Sequence, residues 1–271
     1  MITVAGGDSF VWGTELSDSA IINNARNVTR YSRKTFFALL AAEREMHYAC
    51  VARPGNSNQA IGRMVLDYCE THKDIDKFVT VSWTFPNRYE FRFPFVTPTY
   101  NDYWESFSMW EVKSISEIEK EIKDNSSSAM EILTKRRKFA VQSGLYDFAN
   151  SYFKHVGHTE YWEIYSSLQA IIMLQNYLEL NNIPYMFTMA DNCLLKNYTM
   201  SNPDQSIVSL AKQLKLDNWF IFPESKGFYQ WALENKYPVG DTHPLEEAHY
   251  DAAQLMKDKF NELVAKFNKQ N

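Results

Sequence analysis

Short apolar runs alternate with longer amphipathic stretches along most of the chain. Ile2-Thr3-Val4-Ala5, Met46 to Val51, Phe78 to Trp83, Tyr185 to Met189 and Trp219 to Phe222 are bounded by turn-forming or polar residues, as buried strands are. Between them, Tyr31 to Glu45 carries Phe36, Leu39 and Leu40 at helical spacing. A helix capped by Ser57 or Asn58 would place Ile61, Met64, Val65 and Tyr68 on one face. Residues 129–155 also read as helical, and Tyr161 to Leu180 is apolar nearly all round, like a buried crossover helix. Further helices are predicted over 206–214 and after Pro244, the last with Leu245, Ala248, Ala252, Leu255, Leu263 and Phe267 in its stripe. Strand alternating with helix predicts an α/β protein with a doubly wound, parallel five-stranded sheet flanked by helices.

Three stretches break the alternation. Residues 14–30 are polar and irregular, residues 89–110 aromatic and turn-rich, and residues 111–128 charged, ending in Asn125-Ser126-Ser127-Ser128. No long Pro/Gly/Ser linker divides the chain, so residues 1–271 are expected to form one domain, with helical insertions mainly over 89–160.

Composition narrows the function classes. Hydrophobic residues make up 45% and aromatics 15% of the 271 residues, which suits a packed core rather than disorder. The formal charge of −5 offers no attraction to nucleic acid or an anionic membrane, and neither is expected as a partner. Cys50, Cys69 and Cys193 are odd in number and lack metal-type spacing, which fits a reducing compartment. No secretory signal and no apolar run of the ~20 residues that a membrane helix needs is visible, so a cytoplasmic location is expected.

The candidate chemistry lies at the strand ends. Gly6-Gly7-Asp8-Ser9 follows the first strand, and in a parallel sheet that position lies on the edge where ligands bind. The two glycines would let the chain turn there, with positive φ if needed. A serine hydroxyl needs a base and the base needs an orienting acid, and Gly240-Asp241-Thr242-His243-Pro244 supplies both near the other end of the chain. Gly55 to Asn58, Thr84 to Arg88 and Asp191 also follow predicted strands, so all these residues can converge on one edge. Asp8 is read as a brace for the serine turn. Arg88 could bind a carboxylate or sulfate on a substrate or pair with Glu90, and Asp191 could line the pocket or cap the next segment. His249, beside the buried stripe of the last helix, is read as structural. His155 and His158 flank a helix-weakening Gly157, and no metal site is expected. Tyr100, Tyr103, Trp104, Phe107 and Trp110 could stack on sugar rings, form a lid, or pack the insertion.

The GDSF and DTHP motifs, with Gly55-Asn56-Ser57-Asn58 between them, resemble the SGNH (GDSL-like) hydrolases, a family of serine esterases, deacetylases and lipases. The resemblance implies a flavodoxin-like architecture and hydrolysis of an ester on a small molecule or carbohydrate, without a cofactor. It further implies Ser9 as nucleophile, His243 as base and then acid, and Asp241 as its orienter. The oxyanion would lie between the Ser9 and Gly55 N–H groups, helped by Thr84 or Asn58. The family's third block, G-x-N-D, is altered to Ser82-Trp83-Thr84, with Thr84 at the Asn position and Asn87 a further substitute. That variant, with Arg88 nearby, resembles SGNH-like proteins of tailed bacteriophages. The altered block also leaves a second expectation, a virion-associated or other binding protein that retains the fold without the activity.

Overall fold

A computed structural model describes residues 1–21, 29–97, 102–108, 141–157, 159–196 and 204–268, together with Lys120 and Phe139. The first strand, β1 (Ile2–Gly6), leads into the single turn α1 (Ser9–Trp12). A two-residue hairpin, β2 (Ala20–Ile21) and β3 (Thr29–Arg30), precedes α2 (Phe36–Glu43), β4 (His47–Cys50), α3 (Asn58–Thr71) and β5 (Lys77–Trp83). A long hairpin follows, β6 (Arg88–Thr97) with β7 (Asp102–Ser108). Then come α4 (Leu145–Tyr152), α5 (Glu160–Leu180), β8 (Tyr185–Met189), α6 (Cys193–Lys196), α7 (Gln205–Ala211), α8 (Phe228–Glu234) and α9 (Glu246–Asn268).

The main sheet is parallel, in the order β4-β1-β5-β8, with Val4 opposite Ala49 on one side and Val79 on the other. It has four strands where five were expected. The fifth, Trp219 to Phe222, is reduced to one parallel bridge from Trp219 to Phe187. A 3-10 turn at Leu216–Asn218 precedes it, and Pro223, which has no N–H to give a ladder, starts another. The order is that of the flavodoxin-like sheet without its last strand, and it reverses between β1 and β5.

Alternation along the strands divides the core into two faces. Ala5, Phe78, Met186 and Ala190 pack with α2, α8 and α9, whereas Val4, Val79, Val81, Trp83 and Phe187 pack with α3 and α5. The helices therefore cover both sides of the sheet, as a doubly wound parallel sheet requires. Gly6 and Gly7 do not use the positive φ open to glycine. They permit close packing instead, because a Cβ on Gly6 would meet Val65 Cγ2 at 2.4 Å and one on Gly7 would meet Val11 Cγ2 at 2.4 Å.

The stretch over 89–110, which gave no clear element in the sequence, contains the β6/β7 hairpin. Tyr89 and Phe107 pair across it and pack on Leu145, Ala149 and Phe153 as a satellite core. The predicted solvated segment 111–128 lies outside the described residues apart from Lys120, as do Tyr100, Trp110 and His158. Among the described residues, no helix is long and apolar enough to cross a membrane, and no three His, Cys, Asp or Glu side chains cluster as metal ligands.

Candidate active site

Ser9 begins α1 directly after β1, at the edge where the strand order reverses. Its side chain is nearly enclosed, the residue being 8% exposed. Ser9 Oγ lies 2.8 Å from Nε2 of His243. The turn that presents His243 is tight: Gly240 N–H donates to His243 O at 2.9 Å, and Leu245 N–H to Pro238 O at 2.9 Å. Phe10 packs edge-on against the imidazole at 5.1 Å between centroids, limiting its tilt.

The acid at the far side of His243 is Glu15, a residue for which the sequence reading had no role. Its Oε1 is 2.8 Å from His243 Nδ1, and its Oε2 accepts from the backbone N–H groups of Thr242 at 3.2 Å and His243 at 3.3 Å. The Thr242 hydroxyl donates to Oε1 at 3.1 Å. Burial raises the Glu15 carboxyl, but the hydrogen bonds and charge of His243 and the Thr242 N–H outweigh it and hold the group below its ordinary value. Asp241, expected in this position two residues before His243, is solvent-exposed, and no described hydrogen bond joins it to the imidazole.

Local backbone explains how an acid so close to Ser9 in the chain reaches His243. α1 ends at Gly13 in the left-handed conformation (φ 81°), and Glu15 itself has φ 72°. A left-handed residue other than glycine costs roughly 1–3 kcal/mol and persists where surrounding contacts hold it. Here four hydrogen bonds to the 242–243 turn do so. The two loops are tied again farther on, where Glu246 accepts from Ser17 N–H at 2.9 Å. That bond and the nearby Lys34 draw the Glu246 carboxyl down to about 2 despite partial burial.

Behind Ser9 lies a second polar network. Asp8 is fully buried and caps α1, its Oδ1 accepting from Phe10 N–H at 3.1 Å. Its Oδ2 accepts from Thr84 Oγ1 at 2.5 Å and from Arg88 Nη1 at 3.0 Å. Thr84 N–H donates to Asn58 Oδ1 at 2.8 Å, and Asn58 Nδ2 returns a bond to Thr84 O at 3.1 Å and another to Ser167 Oγ at 3.0 Å. Asp8 is thus the brace that the sequence suggested, and its partners come from the other expected site residues.

This changes the picture for four of them. The Thr84 hydroxyl proton and both Asn58 amide protons are committed to the network, so neither side chain is a free donor for an oxyanion. Arg88 Nη1 is directed inward at Asp8, Thr84 Oγ1 and Asn56 O. Glu90 pairs with Arg63 instead. Asp191 caps α6, accepting from Cys193 N–H at 2.8 Å, and its other oxygen accepts from Gln230. It therefore takes the capping alternative. The Ser9 and Gly55 N–H groups, by contrast, donate to no other described residue. Gly55 sits in the loop whose flanks, Arg53 N–H and Asn56 Nδ2, both donate to Gly7 O beside the serine.

Ser57, not Asn58, caps α3. His249 is structural, being 1% exposed, stacked on Phe36, and accepting from Phe36 N–H at 3.4 Å. Burial pushes its imidazole down to about 3. Cys50 is likewise pushed up to about 12 by burial, which leaves it protonated and unsuited to nucleophilic attack.

No protein-family model matches the chain. No curated protein sequence does either. Among solved structures the chain is similar to the psychrotrophic esterase EstA from Pseudoalteromonas sp., at 9% identity and TM-score 0.45, covering 99% of this chain and 98% of that one. It is similar to a protein assigned to the lipolytic G-D-S-L family from Desulfitobacterium hafniense, at 10% identity and TM-score 0.43, over 95% and 98% of the two chains. A third similar structure is the acetyl xylan esterase Est2A from the rumen bacterium Butyrivibrio proteoclasticus, at 11% identity and TM-score 0.45, over 97% of this chain and 64% of that one.

Proposed function

We propose that the chain is a serine ester hydrolase in which Ser9, His243 and Glu15 form the catalytic relay. One observation carries this reading: hydroxyl, imidazole and carboxylate stand in line at 2.8 Å and 2.8 Å, from residues separated by 234 and 228 positions in the chain. Glu15 holds the proton on Nδ1, leaving Nε2 free to take the Ser9 proton as Oγ attacks the ester carbonyl. The imidazolium then protonates the leaving alkoxide, and a water activated by the same nitrogen releases the acyl group from Ser9. The Ser9 and Gly55 N–H groups are the proposed oxyanion donors, because they are uncommitted and their loops adjoin. An O-acylated small molecule or carbohydrate is the proposed substrate.

A second reading, binding without turnover, is favoured by one fact: the polar groups of Thr84 and Asn58 are used structurally rather than for an oxyanion. Fluorophosphonate labelling followed by intact mass separates the two. A single adduct on the wild type, absent from Ser9→Ala and slowed in His243→Ala, is expected of the hydrolase. An unlabelled wild type after prolonged incubation would leave the binding protein.

A further inference from the structure

A cleft of about 550 Å³ lies between the β6/β7 hairpin, the first turns of α3, and α4 with α5. Its rings are held by their polar edges. Trp162 Nε1 donates to Tyr152 Oη at 2.7 Å, and Tyr89 Oη donates to Gly157 O at 2.8 Å. Trp104 has the Arg63 guanidinium over its face at 4.7 Å, and Arg63 is fixed by the two bonds it donates to Glu90 at 2.9 Å and 2.7 Å. Trp162 is nevertheless 37% exposed. Trp162, fixed in orientation but open to solvent, offers a stacking face at little entropic cost on binding.

The polar lining is neutral. Gln59, Ser166 and Gln169 contribute amides and a hydroxyl, and the Arg63 charge is cancelled by Glu90. Gln169 is exposed, so its amide is open to a ligand, whereas Gln59 Oε1 is shut away from the solvent. Stacking faces with uncharged donors and acceptors between them match a sugar ring, which has an apolar C–H face and hydroxyls around its rim.

The cleft opens at the serine's edge of the sheet, where α3 follows β4 and β6 follows β5. Gln59 follows Asn58, Ser166 precedes Ser167, and Tyr89 follows Arg88, and those neighbours belong to the network behind Ser9. We infer that this cleft is a carbohydrate subsite, holding a neutral pyranose ring of the substrate while its ester reaches Ser9. The inference rests on the hydrolase reading for its purpose, but its test does not depend on turnover.

Full-length Ser9→Ala protein would be titrated, by tryptophan fluorescence and on a printed array, with neutral xylo-, cello-, manno-, malto- and chito-oligosaccharides. Binding of at least one series is expected, with the dissociation constant raised about tenfold by Trp162→Ala and likewise by Gln169→Ala. Trp162→Ala should keep the wild-type far-UV circular dichroism spectrum and a single cooperative melt, which shows that the variant folds. No binding by any series at millimolar concentration would overturn the inference, as would binding indifferent to both substitutions. So would a preference for octanoyl over acetyl 4-nitrophenyl esters that disappears in Trp162→Ala, since the cleft would then hold acyl chains. Loss of the phosphonate adduct in wild type would instead strike the hydrolase reading alone.

Discussion

Replacing Glu15 by glutamine distinguishes the relay seen in the structure from the one suggested by sequence. In the native site one carboxylate oxygen accepts from His243 Nδ1, and the other accepts from two backbone N–H groups, of Thr242 and His243. A glutamine has one acceptor oxygen and one NH2 group. Turned with its NH2 toward the backbone, it sets donor against two donors. Turned the other way it satisfies both backbone groups, and its NH2 then needs Nδ1 as an acceptor. The second orientation wins, and it moves the imidazole proton to Nε2, where His243 can no longer take a proton from Ser9. Tautomer inversion of this kind lowers turnover by about 10⁴ in serine proteases, or roughly 5 kcal/mol of barrier. Glu15→Gln is therefore expected to slow fluorophosphonate labelling and 4-nitrophenyl acetate hydrolysis by about 10³–10⁴ with little change in KM. Asp241→Asn should leave both rates within about twofold, as expected for an exposed substitution without a partner. Full activity in Glu15→Gln with loss in Asp241→Asn would refute the assignment.

Three further outcomes follow from the same geometry. Arg88→Gln strands the buried Asp8 carboxylate and should destabilise the fold by about 3 kcal/mol, read from urea unfolding; a raised KM with unchanged stability would make Arg88 a substrate ligand after all. Gly240→Ala would place a Cβ 2.2 Å from Glu15 Oε2, so the carboxylate must leave its station. Labelling should fall at least about tenfold and the melting temperature should drop with it, because the four hydrogen bonds that hold the Glu15 loop go through that carboxylate. His249 is neutral when folded down to about pH 3 but protonates near 6.5 when unfolded, so stability is full above that range and is lost as pH falls through it. The wild type should lose up to about 1.4 kcal/mol per pH unit there. His249→Leu should lose that share of the slope, while starting about 1–3 kcal/mol lower because Phe36 N–H loses its acceptor.

Strands buried on both faces were legible because each is a short apolar run with clear stops, and Tyr185 to Met189 agrees with β8 residue for residue. The β6/β7 hairpin was not, although Tyr89, Phe91, Phe93 and Phe95 alternate with other residues as a strand's should. Pro94 interrupts that pattern, and it lies where the pairing register shifts between Arg92 and Thr97, the irregularity in which a sheet tolerates proline. Glu15 was missed for a different reason. Asp241 stands two residues from His243, and nearness in sequence favoured it. The partner that reaches Nδ1 is 228 residues away and depends on left-handed backbone at Gly13 and Glu15, which no hydrophobic pattern encodes. An acid in the serine's own loop, at the ligand edge of a parallel sheet, is the only signal the sequence offered.

The variant third block acquires a physical meaning from Asp8. A buried carboxylate next to the nucleophile must be neutralised and hydrogen-bonded, or it destabilises the turn it caps. Thr84 and Arg88 supply that compensation, and Asn58 holds Thr84 by bonding its backbone on both sides. The loop after β5 therefore fixes the serine turn instead of lending a side-chain donor to the oxyanion. One such donor is worth about 10²–10³ in turnover elsewhere. With only the two proposed backbone donors left, a hydrolase of this design should form its acyl-enzyme slowly for its geometry. Its rate should also depend unusually strongly on substrate positioning, which is the task assigned here to the cleft beside α5.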